Sequence, residues 1–301
     1  FGAFWGAPDV IDVQTAVYHD NAIDHALTSD GYAVKLPFTL QLEEFRIDHY
    51  DDGVSPKQFT SCIDAGGRVV RTSVNHPALH KGFFIYQADY DHDEWAYSVI
   101  KLVRDPWLPL VFIGLILLIA GAFLGLRNAW RSRWLTIVTV LIAILFTALS
   151  IARINFRILM PALRSLWFIP HVACYMMAYS SLALSIVFAI LAACGVRADA
   201  FGNMGRKLFS TASSLLLMGM ICGAVWAKMA WGDWWSWDAK ECWAAVTWLL
   251  TLMTSHLPQR RSGRQIAFIV GIVLSFAAMQ MAWYGVEYLP AAQQSMHAYK
   301  S

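Results

Sequence analysis

Six apolar runs dominate the sequence and decide its fold class. None carries a charged residue at its centre, and they lie near 107–126, 134–152, 171–195, 209–227, 241–257 and 266–289. A hydrocarbon layer of about 30 Å is crossed by roughly 20 helical residues, so runs of this length predict membrane-spanning helices. The mean hydropathy of +0.46 agrees with this. We therefore predict a polytopic α-helical membrane protein with six spans.

Charge divides the chain just before the first apolar run. Residues 1–105 carry eight Lys and Arg against sixteen Asp and Glu, whereas residues 106–301 carry fifteen against five. An acidic soluble domain joined to a basic membrane domain is the simplest explanation. The predicted parts are a β-rich domain over 1–105, a transmembrane helix and cytoplasmic linker over 106–133, and a helical membrane domain over 134–301.

The acidic part shows strand patterns. Apolar and polar residues alternate, as is typical of half-buried strands, at Tyr32–Tyr50, Gln58–Ile63, Arg68–Val74 and Gly82–Ala88. The alternation shifts by one residue at Glu43-Glu44, where either a bulge or a break in the strand would fit. Residues 1–30 are weakly patterned, and we expect them to be irregular or partly helical. We expect a small antiparallel β domain in which His76 and His80 are exposed loop residues.

The connections between the runs predict the orientation, because cytoplasmic loops carry an excess of Lys and Arg. Three alternate connections are basic through Arg127, Arg131 and Arg133, then Arg197, Arg206 and Lys207, then Arg260, Arg261 and Arg264. The β-rich domain, the segment before His171, the tryptophan-rich stretch described next and the C-terminal tail then share the outer side. One outer loop is also basic, with Arg153, Arg157 and Arg164.

A dense aromatic stretch lies between the fourth and fifth runs. Trp231, Trp234, Trp235 and Trp237 fall within seven residues, together with acidic side chains. If the stretch is helical, Trp231, Trp234, Trp235 and Asp238 share one face. Such a face is an aromatic platform for a flat, conjugated ligand. An interfacial aromatic belt is the alternative, although a belt requires scattered aromatic residues rather than a dense block.

Two histidines flank this stretch on the predicted outer side. His171 opens the third run, where a helix N-terminus favours the neutral imidazole that binds iron. His297 follows the last run. Haem iron accepts one axial imidazole on each face, and outer arginines can pair with its propionates. Together these features predict a haem site, whereas either histidine alone is better explained as an interfacial residue.

His256 lies at a different depth. It follows Glu241 by fifteen residues, or roughly 22 Å along a helix, near the cytoplasmic end of the fifth run. Two explanations stay open, namely a snorkelling interfacial residue and a ligand in a second, deeper site.

The cysteines do not predict a thiol enzyme. Four of the five, Cys174, Cys194, Cys222 and Cys242, lie in or beside apolar runs, and no two of the five form a C-x-x-C motif. In such positions cysteine usually acts as a small hydrophobic residue. We expect neither a disulfide framework nor a thiol oxidoreductase. The chain also starts without Met or a signal peptide, so we expect a fragment or a processed product.

The tryptophan-rich stretch resembles the WWD signature of the haem-handling proteins of cytochrome c biogenesis. The matching residues are Trp231-Gly232, Trp235, Trp237-Asp238, Glu241, the histidine after Trp167-Phe168-Ile169-Pro170, His256 and His297-Ala298-Tyr299. The arrangement is closest to the CcsA (ResC) family of system II. Upstream, Ser73–Leu79, Gly82–Gln87 and Val103–Pro106 resemble the CcsB (ResB) family. The chain thus resembles a CcsB–CcsA fusion that lacks the first transmembrane helices of its CcsB half.

The resemblance implies a protein of the bacterial cytoplasmic (inner) membrane that exports haem b. Haem would be held by Trp231, Gly232, Trp234, Trp235, Trp237 and Asp238, with iron ligands His171 and His297 outside and His256 at an inner site. It would then be joined to the thiols of a C-x-x-C-H motif in apocytochrome c, a holocytochrome c synthase activity. Thiol-reducing proteins of the pathway and the lipid bilayer are further partners, and no nucleic acid is expected. Without the absent helices, an intact transport channel is in doubt.

Catalysis here needs little acid–base chemistry, because orienting haem and exposing its vinyl edge can supply much of the rate. Asp238 and Glu241 are the candidate catalytic residues, and capping of the fifth run explains them equally well. The β domain carries no chemical motif and is predicted to be a docking surface.

Two other functions are compatible with the sequence. A membrane electron-transfer protein would hold permanent b-type haems through His171, His256 and His297. Two of these lie at predicted outer ends, which suits a handover site better. A non-haem membrane scaffold would leave the WWD block unexplained.

Overall fold

A computed structural model describes residues 10–94, 96–129, 159–257 and 262–288. Its contacts divide the chain into two compact units. The first unit comprises residues 1–114, 154–168 and 225–234, and the second comprises residues 115–153, 169–224 and 235–301. The WWD segment, which we define as residues 231–241, is therefore divided between the units after Trp234.

The first unit is built on one antiparallel sheet. Its strands are β1 (Ile11–Tyr18), β2 (Ile23–Leu27), β3 (Ala33–His49), β4 (Pro56–Ala65), β5 (Val69–Ser73), β6 (Ala78–His80), β7 (Phe83–Tyr90) and β8 (Tyr97–Arg104). Their order in the sheet is β5-β4-β3-β2-β1-β8-β7-β6. The mostly-β domain predicted from the sequence is thus confirmed, and β1 and β8 bring residues far apart in the chain side by side.

Two local predictions about this sheet have opposite outcomes. The predicted irregularity at Glu43-Glu44 is confirmed as a shift in the β3–β4 register between Leu42 and Glu44, and β3 continues through it without a break. The prediction that residues 1–30 are irregular or partly helical is wrong, since β1 and β2 lie there. Only Val13 and Val17 of β1 are fully buried. Ile11 packs beside them, so apolar residues do alternate along β1, and only Thr15 and Ala16 interrupt the pattern.

The sheet packs its apolar side chains into a core, in which Leu40, Ile63, Ile85 and Leu102 are inaccessible to solvent. His80 belongs to the same region, and the prediction that it is an exposed loop residue is wrong. It is 6% exposed and its ring meets Phe38 edge to face, with centroids 4.9 Å apart. His76 is exposed, as predicted.

The apolar part folds into helices: α1 (Leu108–Ala129), α2 (Phe168–Ala193), α3 (Ala198–Trp231), α4 (Ala239–Ser255) and α5 (Ser262–Trp283). Among the described residues, four helices are long and apolar enough to cross a membrane, namely α1, α2, α3 and α5. The fifth predicted span corresponds to α4, which has 17 residues. The second, near 134–152, lies outside the described residues.

One predicted loop belongs to a helix. Arg206 and Lys207 were expected in the connection after the third run, but α3 begins at Ala198 and includes both. The guanidinium of Arg206 lies 4.1 Å from the ring centroid of Phe268. A cation packed on an aromatic ring is stabilised there. Helix α3 thus begins well before the apolar run near 209–227.

Small residues and hydroxyl groups bring the helices of the second unit together. Ser185 on α2 donates a hydrogen bond to the carbonyl of Gly205 on α3 at 2.9 Å, and Thr251 on α4 donates to Ser213 on α3 at 3.0 Å. Such pairs are typical of membrane helices, whose association cannot rely on the hydrophobic effect.

Candidate functional site

The WWD segment is not one continuous helix. Helix α3 ends at Trp231 and α4 begins at Ala239, and Gly232 and Trp237 between them have φ angles of 85° and 60°. The expectation that Trp231, Trp234, Trp235 and Asp238 share one helical face is therefore wrong. A left-handed φ is easily adopted by Gly232 but strained for a tryptophan, and it breaks the helical repeat at both ends of the segment.

The first half of the segment folds against the β-rich unit. The Lys228 ammonium donates a 2.7 Å hydrogen bond to the carbonyl of Gly232 and lies 5.8 Å from the ring centroid of Trp234. A Cβ on Gly232 would lie 3.1 Å from the ring of Tyr86 and 3.4 Å from Val103. Only glycine combines this close approach with the observed φ, which accounts for the glycine of the signature.

An ion-pair cluster fixes Asp233. The Lys101 ammonium on β8 lies 2.7 Å from a carboxylate oxygen of Asp233 and 3.1 Å from one of Asp12 on β1. Burial alone would lower the pKa of Lys101, but the hydrogen bond and charge of Asp233, with Asp12, outweigh it and raise that pKa. Burial raises the pKa of Asp12 although Lys101 opposes it. Lysine therefore stays charged between two carboxylates.

The second half of the segment is ordered by two acids. Asp238 is the N-cap of α4, and its carboxylate accepts a 2.8 Å hydrogen bond from the backbone N–H of Glu241. The Glu241 carboxylate accepts hydrogen bonds from the backbone N–H of Ser236 at 2.7 Å and from its hydroxyl at 3.1 Å. Both acids thus hold the turn that leads into α4, as N-terminal acids commonly do.

This turn presents one large aromatic surface. Trp237 is 79% exposed, and Trp235 packs against it edge to face with ring centroids 6.2 Å apart. Backbone strain of this kind is concentrated at functional sites, so the exposed ring of Trp237 marks this turn as a candidate binding surface.

Two indole N–H groups of the segment are buried without a hydrogen-bond partner. Within the part of the chain that the structure describes, they are Nε1 of Trp234 and Nε1 of Trp235. Buried donors are almost always satisfied in native proteins, so an unsatisfied one at a candidate site suggests a ligand acceptor.

His171 lies in the first turn of α2, close to where the sequence predicted the start of a span. Its Nδ1 is 2.8 Å from the carbonyl of Gly219 on α3. A carbonyl only accepts, so Nδ1 carries the proton and the lone pair of the neutral ring is on Nε2. Histidines that bind metals make this contact through the nitrogen that does not face the metal.

The other predicted ligands are placed differently. His256 is the C-cap of α4 and is exposed, at the opposite end from Asp238 and about 27 Å along the helix axis. His297 lies outside the described residues. Arg164 lies 5.6 Å from the ring centroid of Tyr50 and donates to the carbonyl of Lys57, so it is engaged with the β-rich unit.

Sequence reasoning overlooked several residues that shape the site. Lys101 is remote in sequence from Asp233, and nothing in its local pattern distinguishes it. Gly219 and Gly223 form a G-x-x-x-G pattern, a known signal for close helix packing. That pattern could have pointed to the helix that faces His171.

Comparisons with known proteins place these features in context. The family model described as "Cytochrome C assembly protein" matches residues 107–292, and that of the "ResB-like family" matches residues 4–99. A cytochrome c biogenesis protein CcsA of Guillardia theta is 31% identical over 174 residues, which are 47% of this chain and 56% of the relative. The CcsA protein of a Picosynechococcus strain is 38% identical over 104 residues, 34% of this chain and 29% of the relative.

A third relative, the CcsA protein of Prochlorococcus marinus (strain MIT 9312), is 30% identical over 171 residues, 44% of this chain and 54% of the relative. The chain thus spans about half or less of the length of these relatives. The first family match covers more than half of the 301 residues, and the ResB-like match precedes it, as in a CcsB–CcsA fusion. This chain belongs to the cytochrome c assembly protein family.

Proposed function

We propose that this chain binds haem b at the WWD segment, with His171 as an axial ligand, and presents it for covalent attachment to apocytochrome c. Haem is here the substrate. The observation that carries the proposal is the hydrogen bond from Nδ1 of His171 to the carbonyl of Gly219. It leaves the ring in the tautomer whose Nε2 lone pair suits iron.

The WWD segment supplies groups that suit a porphyrin. Trp237 offers an exposed ring for stacking, and the unsatisfied indole N–H groups of Trp234 and Trp235 are donors suited to carboxylates such as propionates. Trp231 and Gly232 set the start of the segment at the end of α3. Groups of these types support the proposal that the segment binds haem.

The reaction we propose is holocytochrome c synthesis, in which the two thiols of a C-x-x-C-H motif add across the two haem vinyl groups. Each addition forms one C–S and one C–H bond and expels nothing, so the main requirement is orientation of haem and peptide. Asp238 and Glu241 contribute by holding the turn of the segment rather than by transferring protons. Their hydrogen bonds to backbone N–H groups support this role.

The remaining expectations complete the proposal. His297 is the second axial ligand, and His256 belongs to an inner haem site at the other end of α4. The protein crosses the bacterial inner membrane six times, with the β-rich domain and the WWD segment on the periplasmic side. Residues 1–105, 106–133 and 134–301 form the CcsB-like domain, the linking helix and the CcsA-like domain. Thiol-reducing proteins keep the apocytochrome cysteines available.

The attachment step can be tested by co-expression with an apocytochrome c in a host that lacks its own cytochrome c maturation. We expect an apocytochrome band that retains haem after denaturing electrophoresis. An apocytochrome with both motif cysteines changed to alanine should remain unstained. Haem bound by the purified chain without any thioether product would contradict the synthase activity. Stable stoichiometric haem with reversible redox cycling would favour the electron-transfer alternative.

A further inference from the structure

Helices α2 and α3 cross at close range next to His171. His171 and Ser185 on α2 contact Gly219 and Gly205 on α3, respectively. As the residue numbers of the contacts increase along α2, those of their partners on α3 decrease, so the two helices run antiparallel.

Glycines make this crossing unusually tight. A Cβ on Gly223 would lie 2.7 Å from ring atoms of His171, and one on Gly219 would lie 2.8 Å from the ring of Tyr175. Separations below 3 Å cannot be relieved without moving a helix or a ring. The two backbones therefore approach as they do in other G-x-x-x-G packings, where the absent side chains set the distance.

Two cysteines lie in the same crossing. Cys174 falls between His171 and Tyr175 on the contact face of α2, and Cys222 falls between Gly219 and Gly223 on that of α3. Because His171 approaches Gly223 and Tyr175 approaches Gly219 across the crossing, both cysteines lie at the same contact between the helices. Both are reduced. Positions three and four apart share a helix face, so both thiols are directed into the interface by the arrangement that seats His171.

We infer that Cys174 and Cys222 form a redox-active pair that closes to a disulfide by exchange with a disulfide-bearing compound. One thiolate attacks a sulfur of that compound, giving a mixed disulfide and releasing one thiol. The second cysteine attacks the mixed disulfide, closes the Cys174–Cys222 bond and releases the other thiol. Two protein thiols are oxidised and one external disulfide is reduced. Closure forms one S–S bond of about 2.05 Å between the two facing helices.

The location gives the pair a consequence. Disulfide closure would link α2 to α3 within one turn of His171. It would restrict the relative movement of the two helices at the point where the ring of His171 packs on α3. If haem is bound there, as proposed above, oxidation would alter the seat of an axial ligand. This consequence depends on the proposed function, whereas disulfide formation itself does not.

The test uses the full chain in detergent, reduced and then treated with 4,4′-dithiodipyridine, a small apolar aromatic disulfide. The remaining thiols are alkylated, and the protein is digested for mass spectrometry. We expect one linked peptide joining Cys174 to Cys222, without a pyridine adduct on either. In Cys174→Ser, Cys222 should instead retain the adduct. Cys194→Ser, which changes an exposed cysteine, should leave the link intact.

Adducts on both Cys174 and Cys222 without a link, or two unmodified thiols after prolonged treatment, would overturn the inference. The haem spectrum before and after oxidation then tests the consequence separately. A closed link that leaves the spectrum unchanged would retain the redox pair and remove its connection to His171.

Discussion

At the residue scale, Asp238 connects the two acids of the WWD segment to the helix that follows. Its carboxylate accepts the backbone N–H of Glu241. If this cap is its role, Asp238→Ala should cost about 1 kcal/mol of stability and lower haem retention, while Asp238→Asn should preserve both, because asparagine caps equally well. Thermal unfolding in detergent and the haem content of the purified variants provide the measurements.

A catalytic carboxylate would behave in the opposite way. Loss of cytochrome c formation in Asp238→Asn, with normal stability and haem content, would contradict the capping role. Ser236→Ala serves as a matched control within the same turn, since it removes the weaker contact to Glu241, at 3.1 Å, and keeps the 2.7 Å backbone contact.

His80 predicts a pH response of the β-rich unit. Burial lowers the pKa of its imidazole, and the nearby charges of Lys81 and Arg68 lower it further. The unfolded chain then binds the proton first as pH falls below about 6.5. The contribution of His80 to the free energy of unfolding should therefore be complete above that pH and decrease below it. For one group the decrease is at most about 1.4 kcal/mol per pH unit.

Thermal unfolding between pH 7.5 and 5.5 measures this response. His80→Leu should flatten the pH dependence, whereas the exposed His76→Leu should leave it unchanged. An equally steep decline in His80→Leu would assign the acid sensitivity to other groups.

The capping position of Asp238 could be predicted from the sequence, because acids at helix starts follow from local chemistry. The burial of His80 could not. It depends on Phe38, which lies on a different strand, and the flanking sequence of a histidine does not reveal such a neighbour.

At the scale of elements, the crossing of α2 and α3 is the arrangement on which the candidate ligand depends. In Gly223→Ala the added methyl group would lie 2.7 Å from the ring of His171. We expect a loss of about 1–3 kcal/mol from overpacking, and a clear loss or spectral shift of bound haem. Gly121→Ala on α1 is the control, because nothing lies within 4 Å of its added Cβ. Equal haem content in both variants would separate the crossing from haem binding.

Elements were predictable where their pattern is local. The irregularity in β3 and the positions of α1, α2 and α5 follow from periodicity and apolar length. Strand β1 was missed because it aligns along β8, from Ile11 opposite Arg104 to Tyr18 opposite Tyr97. Pairing over such a sequence distance supplies backbone hydrogen bonds that no local window contains. The helical expectation for the WWD segment failed because it ignored the breaks at Gly232 and Trp237.

At the scale of the whole molecule, the ion pairs of Lys101 hold residues 231–234, the part of the WWD segment in the first unit, against the β sheet. In Lys101→Met, the carboxylates of Asp12 and Asp233 lose their cation. We expect the free energy of unfolding to decrease by about 1–2 kcal/mol. The decrease is limited because both carboxylates are more than a third exposed. Bound haem should decrease together with stability. Lys35→Met is a suitable control, since Lys35 is 74% exposed and its partner Asp24 is 3.8 Å away.

This connection also limits what the sequence alone can reveal. Hydropathy and charge indicated a membrane part and an acidic domain, and the WWD signature indicated the family. The link between Asp233 and Lys101 spans 132 positions, and it arises only when β8 and the end of α3 are placed together. A stability profile of Lys101→Met equal to that of Lys35→Met would show that the link does not hold the segment.

The central claim is that His171 holds haem iron. The most direct measurement is the absorbance spectrum, with a pyridine haemochrome assay, of the purified chain and its His171→Ala and His256→Ala variants. We predict copurifying haem in the unmodified chain, a lost or shifted haem spectrum in His171→Ala, and a smaller effect in His256→Ala. An unchanged spectrum and haem content in His171→Ala would contradict the account.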